Sequence, residues 1–231
     1  MEKIKVFHGS DHIIQKPRYL GGKEDNDYGN GFYTTEYEDR ARSWAALNGN
    51  PEKSVVNVYE LNLKGLHVLD LSRCGVLAWI AEVVAHRGTN QEAASIVGEK
   101  LVEMYQIDTR GYDIIKGYRA DDSYTQVIEA FLTNQIHVEE VKKLFYKGSL
   151  GNQVFIKSEK AFDQLQWCGS YETEMDERYK ENDISARREV NRFMQGRMRA
   201  ILLDGYVVPG ITARYAIGRK LVYHEEGDYY E

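Results

Sequence analysis

Cysteine and proline are scarce in this chain, whose 231 residues include 2 cysteines and 3 prolines. Cys74 and Cys168 lie far apart and have no CxxC spacing or histidine-rich neighbourhood, which argues against a disulfide framework or a zinc site and favours reduced thiols. No apolar run approaches the roughly 20 residues of a membrane-spanning helix. Residues 1–6 enter a strand directly, without the apolar segment of a signal peptide. We therefore expect a cytoplasmic protein without a membrane partner.

An excess of positive charge is also missing, since the formal net charge is −6. This balance argues against non-specific binding of nucleic acid by the whole surface, although a local basic patch stays compatible with it. Hydrophobic residues make up 42% of the chain and charged residues 29%, which is typical of a globular protein. The length fits one domain, or one domain with a substantial extension.

Short strand patterns alternate irregularly with helical patterns, which favours an α+β fold over a regular βαβ repeat. Strands are predicted at residues 3–8, 31–35, 54–63, 67–71, 111–117 and 151–157. Helices are predicted at residues 38–47, 75–86, 90–105, 123–133, 138–146 and 158–165. No internal repeat interrupts this order.

The last sixty residues differ in character from the rest. Residues 172–183 are strongly charged, and residues 184–203 place apolar side chains on one helical face. The other face carries Arg187, Arg188, Arg192, Arg197 and Arg199. Such a face is either solvated or a platform for an RNA, DNA or protein acceptor. We predict a main domain over residues 1–171 and a partly helical C-terminal extension over residues 172–231.

Two segments place chemical groups at predicted strand ends. Residues 6–10 (VFHGS) end a strand in His8-Gly9-Ser10, and residues 29–35 (GNGFYTT) form a glycine-flanked turn that leads into a strand. Two such ends close together would form a small-molecule cleft with a histidine, a tyrosine and bare backbone amides facing it.

These segments resemble the diphtheria-toxin and poly(ADP-ribose) polymerase class of ADP-ribosyltransferases. That class carries a strand ending in His-Gly-Ser, then Gly-x-Gly-aromatic-Tyr, with a small residue eight positions and an aromatic residue eleven positions past the tyrosine. Here those positions are Tyr33, Ala41 and Trp44. The third element, a strand reading roughly Asn-Glu-Tyr-Ile-Val, aligns with residues 152–156 (NQVFI). The resemblance covers about residues 3–171 and implies a split mixed β-sheet core surrounded by helices.

A second resemblance is closer. Residues 26–35 (NDYGNGFYTT), 112–115 (YDII) and 120–122 (ADD) resemble a bacterial family of unknown function that is placed among ADP-ribosyltransferase-like proteins. Proteins of this kind are often suspected to be toxins of toxin–antitoxin systems. The resemblance therefore implies NAD as a substrate, a protein or nucleic acid as acceptor, and an antitoxin protein as partner.

The resemblance assigns roles to residues of the first two strands. The backbone of Gly9 would hold the nicotinamide carboxamide, and His8 would bond a ribose hydroxyl and orient the dinucleotide. Tyr33 and Trp44 would stack on the cationic ring, an interaction worth about 0.5–2 kcal/mol. Ser10 would add a ribose or phosphate contact. Further candidates for binding NAD are Arg18 and Arg119, which would meet the pyrophosphate, and Gly31 of the turn.

Gln153 departs from the pattern, because the class has a glutamate there. A glutamine keeps a hydrogen bond to the ribose 2′-hydroxyl and loses the negative charge near the oxocarbenium ion, and losing one preorganised contact typically costs about 10²–10³ in rate. If that loss is the whole effect, Gln153→Glu raises activity. Asp121 and Asp122 are the first candidates to supply a charge instead, and Asp27 is a weaker one. Asp121 and Asp122 also suit the first turn of the helix at 123–133.

Read with the resemblance, His8, Tyr33 and Gln153 are the predicted catalytic residues of an NAD-dependent mono-ADP-ribosyltransferase. Each has a structural alternative, since a lone strand-end histidine or a buried aromatic is more often part of a core. Two rival functions stay open: an NAD glycohydrolase that passes ADP-ribose to water, and a catalytically weak protein that only binds NAD or another nucleotide. The histidines show no metal-ligand spacing, so no metal is assigned.

Overall fold

The computed structural model describes residues 3–48, 53–120, 122–147, 152–173, 177–224 and 229–230. The chain divides into two compact units. The first, which we call the sheet unit, comprises residues 1–70, 108–119 and 151–183; the second, the helical unit, comprises residues 71–107, 120–150 and 184–231. The predicted main domain over residues 1–171 and the extension over residues 172–231 stay a prediction.

The sheet unit contains two β-sheets. Its strands are β1 (Lys3–Ser10), β2 (Phe32–Thr34), β3 (Val55–Asn62), β4 (Val68–Asp70), β5 (Ile114–Tyr118), β6 (Asn152–Ile156) and β7 (Leu165–Glu172). One sheet has the order β1-β3-β7 and is antiparallel throughout. The other has the order β2-β6-β5-β4, in which only β4 and β5 run parallel. The predicted α+β class is confirmed, and the ADP-ribosyltransferase-like core stays a prediction.

The core of the sheet unit lies where strands of both sheets contribute apolar side chains. Val6, Phe32, Tyr59 and Ile156 belong to one buried cluster, whose members are at most 9% exposed. Alternation of the pleat places Val6 and His8 on one face of β1 and Phe7 and Gly9 on the other. The strand therefore buries both faces.

Two helices accompany the sheets. Helix α1 (Glu38–Asn48) begins with acidic side chains that suit the positive end of a helix dipole. Helix α6 (Glu159–Asp163) begins after Ser158, whose hydroxyl accepts a hydrogen bond from the Ala161 N–H at 3.1 Å. Both helices lie where the sequence predicts them, although the predicted end of α6 at residue 165 is two residues too late.

The helical unit is built from α2 (Val76–Arg87), α3 (Glu92–Tyr105), α4 (Asp122–Leu132), α5 (Val138–Lys147) and α8 (Ala213–Arg219). A 3-10 turn (Leu71–Arg73) precedes α2, and a two-stranded ribbon, β8 (Val222–Tyr223) with β9 (Tyr229–Tyr230), follows α8. Helix α7 (Glu177–Asp204) runs through the Arg-rich segment and begins seven residues before the predicted start at 184. Helix α3 continues through Gly98. The glycine leaves room for α2, because a Cβ at this position would lie 3.0 Å from Val84 Cγ1.

Candidate functional site

The two sheets of the sheet unit meet at an isolated bridge between β1 and the end of β2. The Phe7 N–H donates to the Thr35 carbonyl at 2.8 Å, and the Thr35 N–H donates back at 2.9 Å. In a strand, the N–H and C=O groups of every second residue point to the same side. Those of Gly9 therefore point away from β3, as those of Phe7 do. The antiparallel register of the bridge sets Gly9 across from Tyr33. Among the described residues, no strand pairs with Gly9 on that side.

His8 closes this edge with its imidazole ring. Its Nδ1 lies 2.7 Å from the Tyr33 carbonyl oxygen. Because a carbonyl only accepts, Nδ1 carries the proton, and in the neutral ring Nε2 keeps its lone pair. Burial lowers the pKa of His8 below its usual value, although the bond to Tyr33 opposes that shift. The ring packs on Phe32, with 4.6 Å between ring centroids. The site therefore holds a neutral histidine with an acceptor nitrogen.

Gly9 has a steric reason to be glycine. A Cβ at this position would lie 2.0 Å from the Ala41 carbonyl oxygen and 2.5 Å from the Ala45 nitrogen. Helix α1 thus lies directly against the backbone of β1, and the small residue at position 41 belongs to the same contact. Whatever Gly9 binds through its backbone, its side-chain position is filled by α1.

Tyr33 organises the turn that precedes β2. Its hydroxyl donates to the Gly29 carbonyl at 2.8 Å and accepts from the Tyr28 N–H at 2.9 Å. Its ring lies 4.7 Å from the Phe155 ring and is nearly parallel to the Tyr28 ring at 6.4 Å. Gly31 is required by the same packing, since a Cβ there would lie 2.4 Å from Phe155 Cε2. Tyr33 as a residue is half-buried.

Gln153 is buried on β6 and bonds to Asp27. Its Nε2 donates to Asp27 Oδ2 at 2.9 Å and lies 3.3 Å from the Tyr118 carbonyl oxygen. The Tyr28 hydroxyl donates to that same carbonyl at 2.5 Å. Gln153 is 2% exposed and Asp27 is 6% exposed. The structure therefore places Asp27, the weaker candidate to supply a negative charge, in hydrogen-bond contact with Gln153, which has none.

The predicted aromatic partner of Tyr33 is Trp44 on α1. Trp44 is buried, and the guanidinium carbon of Arg119 lies 5.3 Å from the centroid of its ring. The ring of Tyr33 contacts the rings of Tyr28 and Phe155. A sandwich of one ligand ring between Tyr33 and Trp44 stays a prediction.

The remaining predicted residues occupy varied places. The Ser10 hydroxyl already donates to the His12 carbonyl at 2.6 Å, and Arg18 is exposed. Asp121 lies outside the described residues, and Asp122 is the first residue of α4. These placements neither test nor exclude the roles that the sequence predicts for them.

Asn57 is a polar residue of the site region that the sequence reading missed. It is fully buried on β3, where its Nδ2 donates to Ser10 Oγ at 2.9 Å and its Oδ1 accepts from the Ile14 N–H at 2.7 Å. It thereby fixes the turn that follows His8-Gly9-Ser10. An asparagine between two valines, Val56 and Val58, was the available signal, because a buried amide in an apolar strand needs partners.

The described residues also bear on metal sites and membrane spans. Within those residues, no group of three or more His, Cys, Asp and Glu side chains is placed to hold a metal ion. None of their helices combines enough length with enough apolar character to cross a bilayer.

Comparison with known proteins gives one result that covers the candidate site. The model of a family described as "Protein of unknown function (DUF3990)" matches residues 4–167. Comparisons with curated proteins and with solved structures find no match. The matched span includes β1 except for Lys3, the whole of β2, their bridge and the Asp27–Gln153 pair. Because it covers more than half of the chain, the protein belongs to this family of proteins of unknown function, DUF3990.

Proposed function

We propose that this protein is an NAD-dependent mono-ADP-ribosyltransferase, which cleaves nicotinamide from NAD and transfers ADP-ribose to a macromolecule. One observation carries the proposal: the backbone edge of Gly9, next to the neutral ring of His8, where β1 and β2 stop pairing beyond the Phe7–Thr35 bridge. The sequence resemblance described above supplies the substrate class, and the geometry is compatible with it.

The chemistry of nicotinamide fits such an edge. A carboxamide has one donor group and one acceptor group side by side, and the C=O and N–H of one strand residue match it with two hydrogen bonds. The Nε2 lone pair of His8 can accept a hydrogen bond from a ribose hydroxyl. The ring of Tyr33, a half-buried residue across from Gly9, offers an aromatic face to the cationic pyridinium ring. These three groups form the binding half of the proposed site.

In the proposed reaction the bond between C1′ of the ribose and the nicotinamide nitrogen breaks, and its electron pair neutralises the pyridinium ring. A nucleophile of the acceptor then bonds to C1′ and loses its proton. The transition state resembles the oxocarbenium ion of glycoside hydrolysis. Gln153 offers a hydrogen-bond acceptor there but no charge of its own, so we expect either slow transfer or an intrinsically nucleophilic acceptor, such as a nucleobase.

The biological setting follows from the resemblance alone. We propose a bacterial toxin that acts in the cytoplasm on a protein or a nucleic acid and is restrained by an antitoxin protein. Expression in a bacterial host should then slow growth, and the substitutions that remove NAD cleavage should restore it.

The test is incubation of the purified protein with adenylate-labelled NAD and a bacterial lysate. We expect label in protein or nucleic acid, and we expect His8→Ala and Tyr33→Ala to reduce labelling by about 10²-fold or more, as for loss of a preorganised contact. His12→Ala is the matched control, because that histidine lies four residues away with a side chain 68% exposed. It should label as the wild type does.

The same assay separates the rival functions. Free nicotinamide without labelled macromolecule would indicate a glycohydrolase. A rise in melting temperature with NAD, without nicotinamide release, would indicate a binding protein. No label, no nicotinamide and no thermal shift would contradict the proposal altogether.

A further inference from the structure

A buried carboxylate and a buried amide form a pair in the sheet unit. Gln153 Nε2 lies 2.9 Å from Asp27 Oδ2 and 3.3 Å from the carbonyl oxygen of Tyr118. A carbonyl oxygen only accepts hydrogen bonds, and an ionised carboxylate does too. The NH₂ group of Gln153 must therefore face both, and the chemistry of its neighbours fixes the orientation of the amide.

This orientation directs the amide oxygen elsewhere. Among the described residues, the hydrogen bonds found for the Gln153 side chain are those of its Nε2, and none is found for Oε1. Gln153 as a whole is 2% exposed, so only a small part of this oxygen is open to solvent. Phe155 lies opposite Tyr33, and Gln153 is two residues from Phe155 on β6, so all three side chains share one face of the sheet. The oxygen is therefore an acceptor held on the face of the sheet that carries Tyr33.

The carboxylate behind the amide is what distinguishes this acceptor from an ordinary glutamine. Asp27 is 6% exposed, and a charge in that position interacts more strongly with its surroundings than one in water. A hydrogen bond to an ionised acceptor is also stronger than one between neutral groups and polarises the donor. An ionised Asp27 would thus both fix the amide and add negative charge one hydrogen bond behind its oxygen.

We propose that Asp27 and Gln153 act as one unit, in which Gln153 Oε1 accepts a hydrogen bond from a ribose hydroxyl of NAD while Asp27 supplies negative charge from behind the amide. This inference rests on the proposed function. Asp27 is a positioning residue, since it acts through Gln153, and the unit divides between two side chains the hydrogen bond and the charge that a single glutamate would combine.

The pair changes the expectation for Gln153→Glu. A glutamate at 153 would bring a second carboxylate to hydrogen-bond distance of Asp27, and two like charges that close share one proton. The Tyr118 carbonyl would also lose the hydrogen bond that it now accepts from Gln153 Nε2. We expect Gln153→Glu alone to lower activity near neutral pH, although it adds the residue type that a simple comparison of motifs would favour.

The experiment is a charge swap measured by nicotinamide release from NAD in the full chain. Asp27→Asn keeps one acceptor oxygen for Gln153 Nε2, removes the charge and turns the second carboxylate oxygen into an NH₂ group. We expect kcat to fall about 10- to 100-fold with KM for NAD changed much less. The double variant D27N/Q153E reverses the pair: the amide at position 27 would donate to the carboxylate at position 153, which would carry the charge. It should exceed both single variants in kcat.

The pH profile provides a second readout that a structural role would not change. Gln153→Glu should show an added ionisation, with activity rising as the shared proton is lost, and the double variant should lack it. All variants are checked by thermal unfolding. If Asp27→Asn does not fold, the comparison of Gln153→Glu with the double variant still tests the pair.

The outcomes separate this inference from the proposed function. If the wild type neither releases nicotinamide nor transfers ADP-ribose, both are wrong. If the wild type is active and Asp27→Asn matches it in kcat, only the inference about Asp27 is wrong. A double variant no better than the worse single variant would overturn the inference too, because it would mean that the charge cannot be moved between the two positions.

Discussion

Buried acids occur in both units of the protein, and they are used differently. In the helical unit, Glu129 is 5% exposed and both of its oxygens are occupied: Oε1 accepts from the Asn90 N–H at 2.5 Å and Oε2 from Gln91 Nε2 at 3.0 Å. These bonds hold the segment that leads into α3. In the sheet unit, Asp27 bonds instead to the amide of Gln153.

The two acids differ in whether their hydrogen-bond partners keep a polar atom free for a ligand. The donors that Glu129 satisfies belong to a loop at the start of a helix, and nothing in that arrangement points towards a ligand. The amide that Asp27 holds presents its oxygen, for which no hydrogen bond is found among the described residues, on a sheet face lined by aromatic rings. Burial of a carboxylate therefore does not by itself indicate a ligand-binding site. A better indication is a polar atom that has no hydrogen bond within the protein.

The largest effect should come from Gly9→Ala, which acts on the scaffold shared by the sheets and α1. The added methyl group would lie 2.0 Å from the Ala41 carbonyl oxygen, so either β1 or α1 must move. We expect a melting temperature lower by many degrees, or insoluble protein. Gly111→Ala is the matched control, because a Cβ there meets no atom within 4 Å. Equal melting temperatures for the two variants would contradict the close contact.

A medium effect should come from Glu129→Ala, which tests the structural side of the comparison. The substitution removes the two hydrogen bonds that Asn90 and Gln91 donate to the carboxylate. Both of these residues are exposed, so water can replace the acceptor, and each lost bond typically costs about 0.5–1.5 kcal/mol. We expect a lower free energy of unfolding in urea and unchanged activity per folded molecule. Glu103→Ala, at a side chain 67% exposed, is the control.

Asp27→Asn should show the opposite pattern, with activity lost and stability retained. If Glu129→Ala and Asp27→Asn changed stability and activity in the same proportions, the two buried acids would serve the same purpose, and the comparison would fail.

The smallest effect should be the pH dependence that His8 adds to stability. Burial lowers the pKa of His8 in the folded protein, so below about pH 6.5, the usual value for histidine, the unfolded chain binds a proton that the folded chain excludes. The contribution of His8 is therefore fully present above pH 6.5 and decreases as the pH falls towards the lowered pKa. The urea midpoint of His8→Asn should fall less than that of the wild type between pH 7.5 and pH 5.

His137 provides the counterpart in the helical unit. Burial lowers its pKa too, with Arg197 as the next cause, so it adds a pH dependence of the same sign. Substituting His8 and substituting His137 should therefore remove separate shares of the acid sensitivity. Superimposable pH profiles for the wild type and His8→Asn would show that His8 does not exclude a proton in the folded state.

The sequence predicts most elements of the fold, because their hydrophobic periodicity is strong. It misses β7 and α8. In β7 the burial pattern lacks regular alternation, and Gly169 adopts a φ of +145° where the register with β3 shifts. Helix α8 has only seven residues and contains Gly218, so its signal is limited to the cap at Thr212, whose hydroxyl accepts from the Tyr215 N–H at 3.4 Å.

The residues of the candidate site also differ in how far the sequence predicts them. His8, Gly9 and Tyr33 are within short segments whose motif can be read directly, and the bridge between Phe7 and Thr35 brings those segments together. The bond between Asp27 and Gln153 joins residues 126 positions apart. It depends on where the loop before β2 passes over β6, which no local pattern specifies. The sequence therefore identifies Gln153 as lacking a charge but cannot single out the carboxylate next to it.

The Phe7–Thr35 bridge has a consequence for the motion of the molecule. It consists of two main-chain hydrogen bonds, so any pair of residues without proline at positions 7 and 35 can form it. The same two amides report on it, because each exchanges its hydrogen with deuterated water only when the bond opens. Their exchange rates measure the free energy of parting β1 from β2, without a label or a substrate. A molecule bound along Gly9 would slow that exchange, so two backbone positions can register occupancy of the cleft before any reaction has been observed.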